Sequence, residues 1–262
     1  MKIVVCIKQV PANNDAKIDP ETKRIIRSGV KAIMNPFDTY AVEEAVQLRD
    51  RFGGEAIALS MGPAKAEDVL REAISVGIDQ GILLSDRAFG GSDTWATSYV
   101  LAKAIEKIGN VDLVICGKQA IDGDTAQVGP GIAAHLDWLQ ATYVMAIEEV
   151  SSSSIKVRRM REDGYDICQM SFPAVITVVK DINTPRVPTL KGRLASKKSE
   201  IPVWKPSDID ADISKIGLDG SPTRVVKTGP PPARHTNTRK IEGAAMECAQ
   251  SLVQELRLRS II

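Results

Sequence analysis

Apolar positions along this chain fall into two textures. In the first half they form short unbroken runs at 3–7 (IVVCI), 56–61 (AIALSM), 81–85 (GILLS) and 112–116 (DLVIC), rich in Val, Ile and Leu. Runs of this length without polar alternation predict strands covered on both faces, as in a parallel sheet. Between them, apolar residues recur at helical spacing over 36–52 (Ala41, Val42, Ala45, Val46, Leu48), 64–76 and 94–108. Strand and helix therefore alternate, which predicts an α/β fold with a doubly wound, mostly parallel sheet. Asn35-Pro36-Phe37-Asp38 sets a capping side chain before a proline at the first helical position, and Gly62-Pro63 opens another helix.

Beyond about residue 140 the pattern alternates, over 142–150, 155–160, 165–170 and 174–179, with a turn at Asp163-Gly164. This predicts antiparallel strands appended to the sheet. From Thr184 proline and charge increase, with Pro185, Pro188, Lys197-Lys198, Pro202 and Pro230-Pro231-Pro232, so little core is expected there. A helical pattern returns over 241–259 at Ala244, Ala245, Cys248, Leu252, Val253 and Leu256. The expected division is an α/β domain over 1–183, then over 184–262 a loop and an extended C-terminal arm ending in a helix, of the kind that embraces a partner.

At 262 residues and 44% hydrophobic, the chain has enough apolar surface for a substantial core. Lys plus Arg, 34, balance Asp plus Glu, 33, so no global field draws it to nucleic acid or an anionic membrane. The cysteines Cys6, Cys116, Cys168 and Cys248 form no CxxC pair, which argues against a zinc knuckle or iron–sulfur run and leaves no metal expected. Cys6 and Cys116 lie inside apolar runs and read as buried reduced thiols. With neither a signal peptide nor a membrane-length apolar stretch in the sequence, the expectation is a soluble cytoplasmic protein.

The chemistry concentrates in Gly117-Lys118-Gln119-Ala120-Ile121-Asp122-Gly123-Asp124-Thr125-Ala126-Gln127-Val128-Gly129-Pro130, between a strand and a helix. Glycines let backbone amides approach a diphosphate, Thr125 and Gln127 add donors, and a helix N-terminus favours anions. The loop has neither GxGxxG nor a Walker lysine. Its plainer reading is a polar connection with Asp122 and Asp124 as turn formers. In an open parallel sheet, loops after the strand carboxyl ends line one edge, so Lys8-Gln9, Met61-Gly62, 86–93 and 117–129 should surround one crevice.

A second glycine-bearing turn, 85–97 (SDRAFGGSDTWAT), has three readings. It faces a flavin or dinucleotide; it is a variant of the SGGxD[ST] pyrophosphate loop of ATP-cleaving enzymes; or it is a helix start capped by Ser92 or Asp93. The pyrophosphate loop normally follows the first strand of its domain, which this segment does not. His135 and His235 have no partner at metal or triad spacing, and no Ser, Cys or His is assignable to nucleophilic catalysis. The basic cluster Lys191, Arg193, Lys197 and Lys198 reads as a solvated face or a docking patch, with Leu190 and Leu194 beside it favouring docking.

The chain resembles the β (small) subunits of electron transfer flavoproteins. The resemblance runs nearly end to end through KIVVCIKQVP at the start, MNPFDTYAVEEA at 34–45, SMGPA at 60–64, GKQAIDGDTAQVGP at 117–130 and TPRVPTLKGRLASKK at 184–198. It implies pairing with an α subunit that carries FAD in a mobile domain, while β holds a second adenine nucleotide. That nucleotide is structural AMP in the ordinary carrier branch and a second FAD, reduced by NADH, in the electron-bifurcating branch. SDRAFGGSDTWATS at 85–98 and DGDTAQVGP are similar to the bifurcating branch. By position, Cys6, Asn35, Asp38 and Met61 match segments around the adenosine, and Asp122, Gly123, Asp124, Thr125, Gln127, Val128 and Gly129 match the loop around ribose and phosphates. Phe89, Gly90, Gly91, Asp93 and Thr94 fall where that branch faces flavin or the nicotinamide nucleotide. Leu190, with Arg193 and Leu194, matches the loop that docks a dehydrogenase, which the resemblance implies to be of acyl-CoA type. A low-potential ferredoxin or flavodoxin is the further implied partner, and no residue of this chain is implied to be catalytic.

Overall fold

The structure, a computed structural model, describes residues 1–12, 31–226 and 238–262. Pro230-Pro231-Pro232 and His235 lie outside the described residues. The chain divides into two units, Met1–Arg224 and Val225–Ile262.

In the first unit the elements run β1 (Lys2–Cys6), β2 (Gln9–Pro11), β3 (Ala32–Met34), α1 (Pro36–Phe52), β4 (Glu55–Met61), α2 (Glu67–Val76), β5 (Gln80–Leu84), α3 (Thr94–Ile108), β6 (Leu113–Gly117) and α4 (Val128–Leu136). There follow β7 (Leu139–Val150), β8 (Ser154–Met160), β9 (Tyr165–Ser171), β10 (Ala174–Val178), α5 (Leu190–Lys198) and β11 (Val203–Trp204). The second unit contains α6 (Ala245–Leu258). None of the described helices is long and apolar enough to cross a membrane.

The main sheet has nine strands in the order β11-β5-β4-β1-β6-β10-β7-β8-β9. All neighbours from β11 to β7 are parallel, and β8 pairs antiparallel with both β7 and β9. Period-two geometry explains the uninterrupted apolar runs, because both faces are covered. Ile3 and Val5 of β1 pack with Val42, Val46 and Leu70 of α1 and α2, while Val4 and Cys6 pack on the other face with Val100, Ile105 and Ile132 of α3 and α4.

Two expectations change. The run Ala174–Val178 does not extend an antiparallel meander: it inserts between β6 and β7, parallel to both, with Ala174 opposite Leu113 and Ile176 opposite Ile115. All five of its residues are buried, so AVITV has the texture of the early parallel strands rather than of an alternating edge. The segment after Thr184 also contributes core. Pro206, Ile209 and Ile216 are buried, β11 extends the sheet beside β5, and α5 lies on α2, where Gly192 leaves no room for a Cβ against Ser75 O. Arg186 anchors this return on α1: its Nε donates to Glu43 Oε2 at 2.9 Å and its Nη2 to Oε1 at 3.1 Å. Burial would raise the Glu43 carboxyl, but the Arg186 and Gln47 hydrogen bonds hold it below its ordinary range.

The central position of β10 has a measurable consequence. Ile176→Ala should cost about 2–5 kcal/mol in urea unfolding, as for a closed cavity in a core, whereas Ile167→Ala on the exposed face of β9 should cost under about 1 kcal/mol. Equal costs would place the two strands in equivalent surroundings.

Candidate functional site

Strand order reverses about β1: the chain builds outward through β4 and β5, then returns to the other side of β1 for β6. Open α/β sheets bind ligands at such a switch point, outside the strand carboxyl ends. A cleft of about 360 Å³ lies there. Cys6 and Cys116, terminal on β1 and next to terminal on β6, are direct neighbours in the parallel register and both line it, as does Met61 at the end of β4. Cys6 and Cys116 are buried free thiols, and the Cys6 hydrogen bond, burial and the nearby Cys6 and Asp38 push the Cys116 thiol well above its ordinary range.

Asn35 and Asp38 organise the floor. Asn35 was expected to cap α1, but its side chain makes no capping bond. Instead its Nδ2 donates to Asp38 Oδ1 at 2.9 Å and to Gln119 O at 2.8 Å, and its Oδ1 accepts from Ile121 N at 3.1 Å. Asp38 Oδ2 accepts from Lys8 N at 2.7 Å. Both residues are buried, so this pair ties the ends of β1, α1 and the loop after β6 together. Gly117 is required beside them: a Cβ there would lie 2.3 Å from Asp38 Oδ1 and 2.7 Å from the Phe37 carbonyl carbon.

The loop after β6 supplies one wall. Gly123, Thr125, Gln127, Val128 and Gly129 line the cleft, together with Gln119 and Ala120. Asp122 does not line it but holds Lys8 Nζ at 2.8 Å, and Asp124, at positive φ, accepts from Gln119 Nε2. A Cβ on Gly129 would meet Thr177 Cγ2 at 2.5 Å, whereas one on Gly123 would meet nothing within 4 Å. Gly129 is thus needed for packing on β10, and Gly123 borders open space. Pro130 is the third residue of α4, after Val128 and Gly129.

The opposite wall comes from α3. Ser92, Asp93, Thr94, Thr97 and Leu101 line the cleft, and Thr94 Oγ1 reaches Gln127 Oε1 at 3.3 Å across it. Asp93 caps α3, accepting from Trp95 N at 3.0 Å and Ala96 N at 3.1 Å. Phe89, Gly90 and Gly91 do not line this cleft. Phe89 is buried in the apolar layer of α3, and Gly91 packs on Leu218. His135 lies between Trp95 and Tyr99, at centroid distances of 4.5 and 5.6 Å, as a packing residue. Lys8 lines the cleft, as its place after β1 implies, and Thr97 and Leu101 extend the wall beyond the sequence motifs because they share one helical face with Thr94.

Leu190, Arg193 and Leu194 lie on α5, not in the cleft. Leu190 and Leu194 are 76% and 54% exposed, and Thr189 caps their helix by accepting from Gly192 N at 3.0 Å. Among the described residues no group of three His, Cys, Asp or Glu could hold a metal ion.

A glycine-bordered cleft at the switch point, floored by a buried Asn–Asp pair and walled by a polar loop running into a helix, places this chain among the open α/β domains with a ligand-type crevice at the strand carboxyl ends. The family model described as "Electron transfer flavoprotein domain" matches residues 22–209. The chain is 46% identical, over the whole of both chains, to the electron transfer flavoprotein subunit beta of Thermoanaerobacterium thermosaccharolyticum. It is 44% identical, again over the whole of both, to the Caffeyl-CoA reductase-Etf complex subunit CarD of Acetobacterium woodii. To Protein FixA of Azorhizobium caulinodans it is 45% identical over 98% of this chain and 94% of that one. The chain belongs to the electron transfer flavoprotein family, among its β subunits.

The Asp38 carboxyl is raised by burial from 3.8 to about 7, against the opposing bonds from Asn35, Lys8 and Gly117 and the Lys8 charge. The folded state therefore holds a proton that the unfolded state has released between these values, so stability falls as pH rises through that window and levels off above it. Asp38→Asn should abolish this slope: measured by urea unfolding, the wild type should lose up to about 4 kcal/mol relative to the variant between about pH 4 and 7. Parallel profiles would mean that Asp38 folds already ionised.

Proposed function

We propose that this chain is the β subunit of an electron-bifurcating electron transfer flavoprotein, holding an adenine nucleotide cofactor, FAD, in the cleft between β1 and β6. When bound, the flavin supplies hydride acceptance from NADH and single-electron transfer, one electron to ferredoxin or flavodoxin and the other toward the α-subunit FAD and an acyl-CoA type dehydrogenase. The observation that carries the reading is the cleft itself, whose Gly123 wall borders open space while Gly117 and Gly129 are packed tight.

The residues of this chain bind and orient. Asn35 and Asp38 hold the floor, and Gly123, Thr125, Gln127 and the amides entering α4 present donors suited to phosphate oxygens. The volume, about 360 Å³, is at the small end of ligand pockets and suits a mononucleotide portion, so a dinucleotide would extend past Asp93 and Thr94. No residue is assigned as an acid, base or nucleophile. The alternative is AMP in the same cleft with a structural role, as in a non-bifurcating carrier. The full-length names of the relatives support a complex: one is called a subunit of a Caffeyl-CoA reductase-Etf complex.

Leu190, Arg193 and Leu194 form the dehydrogenase-docking patch in this reading, supported by the exposure of both leucines on a helix anchored through Arg71, whose Nη1 donates to Ser196 O at 2.5 Å.

Denaturing the heterodimer co-purified with its α subunit and quantifying nucleotide tests the cofactor. Two FAD and no AMP are expected; one FAD with one AMP would replace the bifurcating reading by the carrier reading. Gly123→Val should leave unfolding stability within about 0.5 kcal/mol of wild type but lower nucleotide affinity at least about tenfold, since the residue lines the cleft and a Cβ added there meets no atom within 4 Å. Leu190→Ala should slow electron delivery to the dehydrogenase with nucleotide content unchanged; loss of both would remove α5 from the docking role.

A further inference from the structure

The lip of the cleft formed by residues 92–94 is built together with a segment 125 residues further along the chain. Asp93 Oδ1 caps α3, leaving Oδ2 to accept from Thr223 N at 3.0 Å and Thr223 Oγ1 at 2.8 Å. Asp93 N donates to Ser221 Oγ at 2.9 Å, and Ser221 Oγ donates on to Gly217 O at 2.6 Å. Gly217 N in turn donates to Ser92 Oγ at 3.0 Å. Ser221 is buried.

Sterics reinforce these bonds. A Cβ on Gly217, which has φ +64°, would lie 2.3 Å from Ala88 O, and one on Gly91 would meet Leu218 Cβ at 3.1 Å. Phe89 and Ile216 are buried in the same apolar layer beneath. Segments 88–93 and 216–223 are therefore one interlocked piece, and Arg224 is the last residue of the first unit. On its other side the same piece reaches the proposed phosphate loop, because Thr94 bonds Gln127, the residue before α4.

We propose that Asp93 is a positioning residue that clamps residues 217–223 to the lip of the nucleotide cleft, so that a bound nucleotide and a fixed Thr223 favour one another. The proposal rests on the nucleotide reading of the cleft. The path is contiguous: Thr223 to Asp93, along one peptide to Thr94, and across to Gln127. Both oxygens of a single carboxylate divide the work, one fixing the helix start on the cleft wall and the other fixing the residues from which the C-terminal unit continues. Thr223 itself does not line the cleft, and both of its bonds to the lip go to Asp93.

Linkage makes the effect reciprocal. In the complex of full-length chain and α subunit, with AMP and FAD as probes and binding followed independently by equilibrium dialysis, amide hydrogen exchange at Thr223 and Gly217 should slow at least about fivefold on saturation. Thr223→Val should weaken nucleotide binding by about the same factor. Asp93→Ala should abolish the nucleotide-dependent protection, and Asp93→Asn, whose single amide oxygen can keep the α3 cap while its NH2 can only donate to Thr223 Oγ1 and leaves Thr223 N without its acceptor, should recover at most part of it. Exchange at Thr223 that is unchanged by a nucleotide shown to bind, or wild-type affinity in Thr223→Val, overturns the clamp and leaves the cleft reading intact. Failure of both AMP and FAD to bind the wild-type complex overturns the two together.

Discussion

The buried pair Asn35 and Asp38 is the constraint on which the site depends. Two short polar side chains beneath an apolar sheet edge are stable only when their hydrogen-bonding capacity is met, and here it is met by the bond between them and by backbone from two separate stretches: Lys8 after β1, and Gln119 and Ile121 after β6. The loops that wall the cleft are thus fixed from below. The cost is a carboxyl held far from its ordinary ionisation, with Gly117 pressed so closely against it that no side chain fits.

How much of this was legible in the sequence follows from which forces are local. The runs IVVCI, AIALSM and DLVIC announce themselves because burial on both faces leaves them almost wholly apolar, and the loop 117–130 stands out by its concentration of glycines and short polar side chains between a strand and a helix. Asn35 looked like a helix cap because the motif is local, yet its side chain is spent on partners 84 and 86 residues away. The same limit explains Phe89 and Gly91: a glycine demanded by Leu218 and one demanded by a ligand read alike until the chain is folded. AVITV pairs parallel to both its neighbours although the alternating segments before it are antiparallel, because strand direction is decided by neighbours and not by the strand's own residues.

The return of the chain after residue 184 is held by charge and the lip by caps. Arg186 joins Glu43 in a two-pronged pair with one partner buried, and this sets the base from which Val187 to Leu194 projects. Neutralising Arg186 would leave the buried Glu43 without its counter-ion, whereas Arg186 keeps a second partner in Asp50 at 3.4 Å, so the exposed leucines of α5 depend on contacts with helix α1. The exposed face of α5 and the cleft floor therefore share α1 as a common foundation: Asp38 near its beginning and Glu43 one turn and a half later.

The insertion of β10 between β6 and β7 also bears on how the molecule is made. During synthesis β1, β4, β5 and β6 can assemble in order, but the flank of β6 that β10 will occupy stays open until residues 174–178 emerge, and only then can the long β7 strand join the sheet. For more than fifty residues of chain growth a fully apolar strand edge is unpaired, the situation in which nascent sheets recruit wrong partners. Closure requires pairing across large sequence separation, a slow step in folding, so the hairpin β8–β9 that delivers β10 sets the time at which the sheet becomes continuous.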